Sequence, residues 1–173
     1  IAQGSSERSI SAVVKQSACA DAVKVSHENF FTHVPSIDVF LVGCGVVGGE
    51  LLAQIHQQKS FLAGRQVRLT VYGIANSRQL LLNPDGIDLG RWQRDIADAV
   101  QPFSLQALSQ FVRDNHLTNP VLVDCTSAEA LAMQYVDFLA ADFHVVTPNK
   151  KANTASLDYY RQLRTTAQAH RRR

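Results

Sequence analysis

Gly43-Cys44-Gly45-Val46-Val47-Gly48 is a G-x-G-x-x-G string set between two different apolar periodicities. Before it, residues 37–42 (IDVFLV) form a near-continuous apolar run broken by one acid. After it, Val47, Leu51, Leu52 and Ile55 recur at helical spacing, giving a helix over about 46–58. Strand, glycine turn and helix in that order are the context in which this string carries meaning. The first glycine permits the tight turn, the second lets backbone approach a pyrophosphate, and the third lets helix pack on strand. The helix N-terminus adds free N–H groups and a partial positive charge. Four of the nine glycines fall at positions 43 to 49, which favours a phosphate loop over a ligand-free turn.

The alternation continues downstream. Residues 67–75 read as a second strand, followed by a turn-rich insert centred on Asn83-Pro84-Asp85-Gly86. A helix over 104–115 has Ser104 as its N-cap. Residues 121–124 are a short third strand. Thr126-Ser127-Ala128-Glu129 has capping-box spacing and opens a helix through Leu131, Tyr135 and Phe138. A fourth strand at 144–147 ends at Pro148, and a helical pattern runs from about 153 to 170. Buried-type strands alternating with amphipathic helices predict an α/β fold, a doubly wound Rossmann-type parallel sheet covered on both faces. Ahead of it, residues 9–14 read as a short strand, and 15–35 show little regular pattern.

Composition narrows the function classes. Seventeen basic residues face fifteen acidic ones, but Arg171, Arg172 and Arg173 supply three of the positives. The remaining fourteen against fifteen leave a net −1, so no nucleic-acid-like excess exists in the body of the chain. No apolar stretch approaches the roughly 20 residues of a membrane span. Cys19, Cys44 and Cys125 are odd in number and far apart, a pattern that fits a reducing cytoplasm rather than a disulfide framework or metal site. The six histidines show no ligand spacing; His144 reads as the start of a strand, and Trp92 as an anchor for the insert. Cys44 has no neighbouring base that would make it a nucleophile.

Cofactor preference is read at the end of the second strand, where NAD-selective sites place an acid for the ribose 2′-OH. Here the strand closes Gly73-Ile74-Ala75-Asn76-Ser77-Arg78, with no acid until Asp85. Asn76 and Ser77 can hydrogen-bond a ribose, and Arg78 can face a 2′-phosphate. This favours NADP (as NADPH) over NAD, or tolerance of both; a solvated surface arginine is the other reading of Arg78.

Several blocks together resemble a known family. Residues 42–49 and 73–78, Asn119-Pro120-Val121-Leu122-Val123-Asp124-Cys125-Thr126-Ser127 and His144-Val145-Val146-Thr147-Pro148-Asn149-Lys150-Lys151-Ala152-Asn153 resemble the nucleotide-binding domain of homoserine dehydrogenase. The opening eleven residues are similar to the end of the aspartokinase regulatory (ACT-type) region, an order found where the two enzymes are fused. The resemblance implies residues 1–34 as the end of the regulatory domain with a linker, and 35–173 as the NAD(P)-binding domain. It implies NAD(P)H-dependent reduction of L-aspartate 4-semialdehyde to L-homoserine, on the route to threonine and methionine, in a cytoplasmic homo-oligomer. The Gly43–Gly48 loop would hold the pyrophosphate, with Thr126 and Ser127 beside the nicotinamide. Lys150 would be the catalytic residue, near both nicotinamide and substrate. Its ammonium can stabilise charge on a carbonyl oxygen; the bland alternative is a solvated turn, and for Thr126 an N-cap. Gln3 matches a glutamine that can touch a threonine effector in such regulatory domains, although with only part of that domain in the sequence it reads rather as an exposed polar residue on an unpaired strand. Both ends look cut, and the substrate domain, with its further acids and lysine, is expected beyond Arg173. The second functional reading is a non-catalytic NADP-binding sensor or scaffold module.

Overall fold

The computed structural model describes residues 2–3, 10–31 and 36–173. The chain divides into two compact units, 1–35 and 36–173. In the first, strand β1 (Ala2–Gln3) pairs antiparallel with β2 (Ile10–Ser11), matching Ala2 to Ser11 and Gln3 to Ile10. Of the strand predicted over 9–14, Ile10 and Ser11 join a ladder, residues 12–14 have no regular structure and Ser9 is outside the described residues. The region expected to be irregular instead holds a 3₁₀ turn (Gln16–Ala18) and a 13-residue helix, α1 (Cys19–Phe31). The helix escaped notice because Val, Ser, His and Asn are indifferent helix formers and its valines make no apolar stripe. Val23 and Val25 are both exposed. Most of the Gln-Gly-Ser-Ser stretch, from Gly4 onward, also lies outside the described residues.

The second unit is built on a five-stranded sheet, in the order β5-β4-β3-β6-β7. These strands are β3 (Ser36–Val42), β4 (Arg68–Ala75), β5 (Leu80–Leu82), β6 (Pro120–Asp124) and β7 (His144–Val146). β3 is parallel to β4 and β6, and β6 to β7, while β5 lies antiparallel on the β4 edge. The sheet is thus mostly parallel, with one reversed strand at its margin. β5 was hidden inside the turn-rich insert: a three-leucine run is too short to show period two. The Asn83–Gly86 turn forms as expected, with Gly86 at φ +87° and its N–H donated to the Asn83 carbonyl at 3.1 Å.

Alternation along the central strands sorts the core into two faces. Val39, Leu41, Val121 and Val123 bury with Leu52 of α2 (Val46–Gly64) and with Trp92 and Ile96 of α3 (Trp92–Ala97). Phe40, Val42 and Leu122 point the other way. There they meet Leu108 of α4 (Leu105–Asp114), Tyr135 and Phe138 of α6 (Tyr135–Ala140) and Leu163 of α7 (Leu157–Ala169). On this second face Phe143 packs edge-on against Phe40 and Phe138, with centroids 5.6 and 5.7 Å apart. Both faces are covered, as a doubly wound sheet requires. Trp92, 9% exposed, anchors the insert as its sequence setting suggests.

Caps explain where helices start. Ser104 accepts from the Ala107 N–H at 3.1 Å, as read from the sequence. α7 begins later than its apolar pattern, at Leu157, because Ser156 caps it through the Tyr159 N–H. The capping box at 126–129 does not form. Thr126 Oγ1 instead accepts from the Ala128 N–H, two residues on, at 3.1 Å. That local bond competes with helix nucleation. The helix then starts only at Glu129, as α5 (Glu129–Ala132), and breaks at Met133-Gln134 before α6.

Candidate functional site

In an open parallel sheet the crevice lies beyond the carboxyl ends of the strands, where neighbouring connections leave in opposite directions. Here that point is between β3 and β6, since β3 connects through α2 to β4 on one side while β6 leads to β7 on the other. The loop after β3 is the glycine string. Gly43 sits at φ +94°, and its N–H is donated to the Ala75 carbonyl at 2.8 Å, fixing the turn to β4. A Cβ on Gly43 would lie 2.6 Å from Thr126 Cγ2 and 2.9 Å from the Cys125 carbonyl carbon, so the turn crosses directly over the β6 exit. A Cβ on Gly48 would collide with the Gly43 carbonyl oxygen, so α2 packs back onto its own turn. Gly45 differs: a Cβ there would meet nothing within 4 Å.

Gly43 thus makes the tight turn and Gly48 the close helix packing expected of them, while Gly45 leaves its side of the loop open. Gly45, the N-cap of α2, provides no side-chain cap, leaving first-turn N–H groups to an external acceptor. Val46 and Val47 on that turn are 92% and 56% exposed, apolar surface beside the opening. These residues fit a pyrophosphate with flanking ribose. Cys44 donates weakly to the Ala75 carbonyl, at 3.8 Å, and burial pushes its thiol above the ordinary value, against a nucleophilic role.

Beyond β4, Asn76 closes a tight turn. Its Oδ1 accepts the N–H groups of Arg78 and Gln79, both at 2.8 Å, and its Nδ2 donates to Gln79 Oε1 at 3.1 Å. Gln79 Nε2 reaches the carbonyls of Ala97 and Ala99, both at 3.0 Å, tying the turn to the insert. Asn76 is thus occupied in shaping the loop, while Ser77 and Arg78 stand exposed at its tip.

The third and fourth loops meet through a buried polar network that sequence reading missed. Asp124, at the end of β6, is fully buried. Its Oδ1 accepts from the Thr126 N–H at 2.7 Å. Its Oδ2 accepts from the Tyr135 hydroxyl and from Asn149 Nδ2, the latter at 3.3 Å. Thr147 Oγ1 donates to the Asp124 carbonyl at 2.8 Å, and accepts from the Asn149 N–H at 2.8 Å. Asn149 spends its second amide proton on the Ala128 carbonyl and its Oδ1 on the Lys151 N–H, both at 3.1 Å. Burial first, and then the bond to Asp124, hold the Tyr135 phenol well above its ordinary pKa, so it stays a hydroxyl donor. An apolar strand ending in Asp, and a Pro-Asn after the next strand, were the visible signals; their pairing was not.

Lys150 sits on this frame. Its carbonyl accepts from the N–H groups of Asn153 and Thr154 and from Thr154 Oγ1, at 3.0–3.1 Å. Lys151 faces Glu129 at 3.6 Å, whereas the Lys150 side chain is exposed and has no ion-pair partner among the described residues. Thr126 is brought against Gly43; Ser127 follows it, exposed. Among the described residues no cluster of His, Cys, Asp and Glu could hold a metal ion, and no helix is long and apolar enough to cross a membrane.

A glycine turn over an uncapped helix, at the reversal point of a sheet ordered like the dinucleotide-binding folds, defines a Rossmann-type nucleotide-binding domain. Comparison with known proteins sharpens that class. Residues 43–173 match the homoserine dehydrogenase NAD-binding domain, and the chain belongs to that family. It is 52% identical over 169 residues to the bifunctional aspartokinase/homoserine dehydrogenase of Haemophilus influenzae, covering 98% of this chain and 21% of that protein. It is 40% identical over 171 residues to a chloroplastic bifunctional aspartokinase/homoserine dehydrogenase of Zea mays, covering 98% and 19%. The chain therefore spans about a fifth of the length of these relatives. Among solved structures, homoserine dehydrogenase from Thermoplasma acidophilum superposes with a TM-score of 0.61 at 21% identity, over 80% of this chain and 42% of that one. A hyperthermophilic archaeal homoserine dehydrogenase in complex with NADPH gives 0.61 at 22% identity, over 79% and 42%. Both establish the shared fold.

Proposed function

We propose that residues 36–173 bind NADPH, and NADH less well, as the cofactor domain of a bifunctional aspartokinase/homoserine dehydrogenase that reduces L-aspartate 4-semialdehyde to L-homoserine. The observation that carries this reading is the open Gly45 at an uncapped helix, set against a second pair of loops that present Thr126, Ser127 and Lys150. The loop Gly43, Cys44, Gly45, Val46, Val47, Gly48 takes the pyrophosphate; Ser77 and Arg78 take the ribose and its 2′-phosphate. When bound, the cofactor supplies the hydride. The Lys150 ammonium then stabilises charge on the aldehyde oxygen. Residues 1–34 are, in this reading, the end of an ACT-type regulatory domain and its linker. The two half-buried thiols suit a reducing cytoplasm, and the longer protein acts as a homo-oligomer on the semialdehyde.

Calorimetric titration tests it. The 173-residue chain should bind NADPH with a Kd in the micromolar-to-millimolar range, roughly −8 to −4 kcal/mol. No saturable heat with NADPH or NADH up to several millimolar would refute it. The chain alone should not oxidise NADPH with the semialdehyde, because one lysine cannot hold both ends of an amino-acid substrate within the roughly 3–3.5 Å that transfer demands. Robust turnover lost in Lys150→Ala would show instead that this length suffices.

A further inference from the structure

The two loops that carry Thr126 and Lys150 come from different strands, and one buried carboxylate binds both. We propose that Asp124, acting through Asn149 and Tyr135, is the positioning residue for the nicotinamide half of the site, setting Lys150 relative to Thr126. This rests on the cofactor reading above. Asp124 Oδ1 fixes the backbone of Thr126 directly. Its Oδ2 fixes Asn149, whose remaining amide proton, carbonyl and own N–H pin Ala128, Lys151 and Thr147. Lys150 is thereby held on both sides through its neighbours, and from below by the turn closing on its carbonyl.

Every side-chain donor in this frame is committed. Asn149, 8% exposed, uses both amide protons and its carbonyl oxygen. Tyr135 gives its proton to the carboxylate, and its oxygen lies 3.1 Å from Thr147 Oγ1. A network satisfied at each member has one arrangement, so it transmits a fixed geometry to the exposed groups above it. None of its three central side chains needs to touch the cofactor.

Polarity makes the idea testable. In Asp124→Asn, the oxygen must still face the Thr126 N–H, so the new amide NH2 turns toward the NH2 of Asn149, donor against donor. The probes are NADPH and 2′-phospho-ADP-ribose, the same ligand without nicotinamide. We expect Asp124→Asn to weaken NADPH about tenfold while the nicotinamide-free ligand changes by less than about twofold. Tyr135→Phe, which removes one bond and keeps the charge, should shift NADPH alone in the same direction by less, and it decides the matter if Asp124→Asn does not fold. Equal weakening of both ligands, or no change in NADPH, overturns the proposal and leaves the network as a structural brace. An unsubstituted chain that binds neither probe defeats the cofactor reading itself.

Discussion

The loop after β3 and the loops after β6 and β7 face the same crevice but are shaped by opposite means. The first owes its form to missing side chains: Gly43 bends under Thr126, Gly48 lets α2 settle on the turn, and Gly45 leaves open space. The others owe theirs to side chains packed together, with Asp124, Tyr135, Thr147 and Asn149 bonded in the interior. A loop made of backbone can accept an anion with little specificity beyond charge and fit. One made of a satisfied polar network can hold a particular side chain at a particular place.

Removing the centre of the network should show the larger effect. Asp124→Ala leaves the Tyr135 hydroxyl, the Asn149 amide and the Thr126 N–H without their carboxylate partner, and should cost about 3 kcal/mol or more in denaturant unfolding. A loss under about 1 kcal/mol would mean that water replaces the carboxylate and that the contrast is weaker than drawn. Next comes the glycine turn. Gly48→Ala forces a methyl into the Gly43 carbonyl, at about 3 kcal/mol, and should abolish NADPH binding. Gly45→Ala should leave the unfolding midpoint nearly unchanged yet weaken NADPH, because its methyl would enter only the open space proposed for the pyrophosphate. Should both glycine variants behave alike, the distinction between packing and access fails.

Smaller again is Arg78→Ala, expected to weaken NADPH about tenfold or more while sparing NADH. Equal weakening of both would return Arg78 to the surface. Thiol labelling near pH 7.5 gives the mildest signal. Exposed Cys19 should react first; Cys44 and Cys125, whose thiols burial pushes up, should lag behind it. Added NADPH should slow Cys44 further and leave Cys19 alone.

The same contrast governs how much could be read in advance. Glycine spacing is contiguous in sequence and tied to backbone needs, so the glycine turn, the strand before it and the start of the helix after it were legible, although α2 runs on to Gly64. The network draws on positions 124, 135, 147 and 149, which only the β6–β7 pairing brings together. Thr126 shows the cost of local rules: its spacing to Glu129 satisfies a capping box, yet its hydroxyl took the nearer Ala128 N–H. Asn76 is expected to reach a ribose, and in the fold its side chain also shapes the turn that displays Arg78. β5 and α1 went unseen because neither carries a periodic stripe long enough to register.

The strand order also has a consequence in time. β3 is central, yet it is made first, and its partner β6 follows only after about 80 further residues, roughly 4–16 s of synthesis at about 5–20 residues/s. During that interval one edge of Val39-Phe40-Leu41-Val42 is unpaired, an invitation to neighbouring nascent chains. The acid of that strand, Asp38, later accepts the Asn119 N–H at 3.1 Å, just before β6 begins. Until then a carboxylate beside the apolar run should discourage such pairing, as charges on strand edges do. Asp38→Val should therefore lower refolding yield more steeply as protein concentration rises; a yield that falls no faster than for the unsubstituted chain would show that the acid serves only the finished fold.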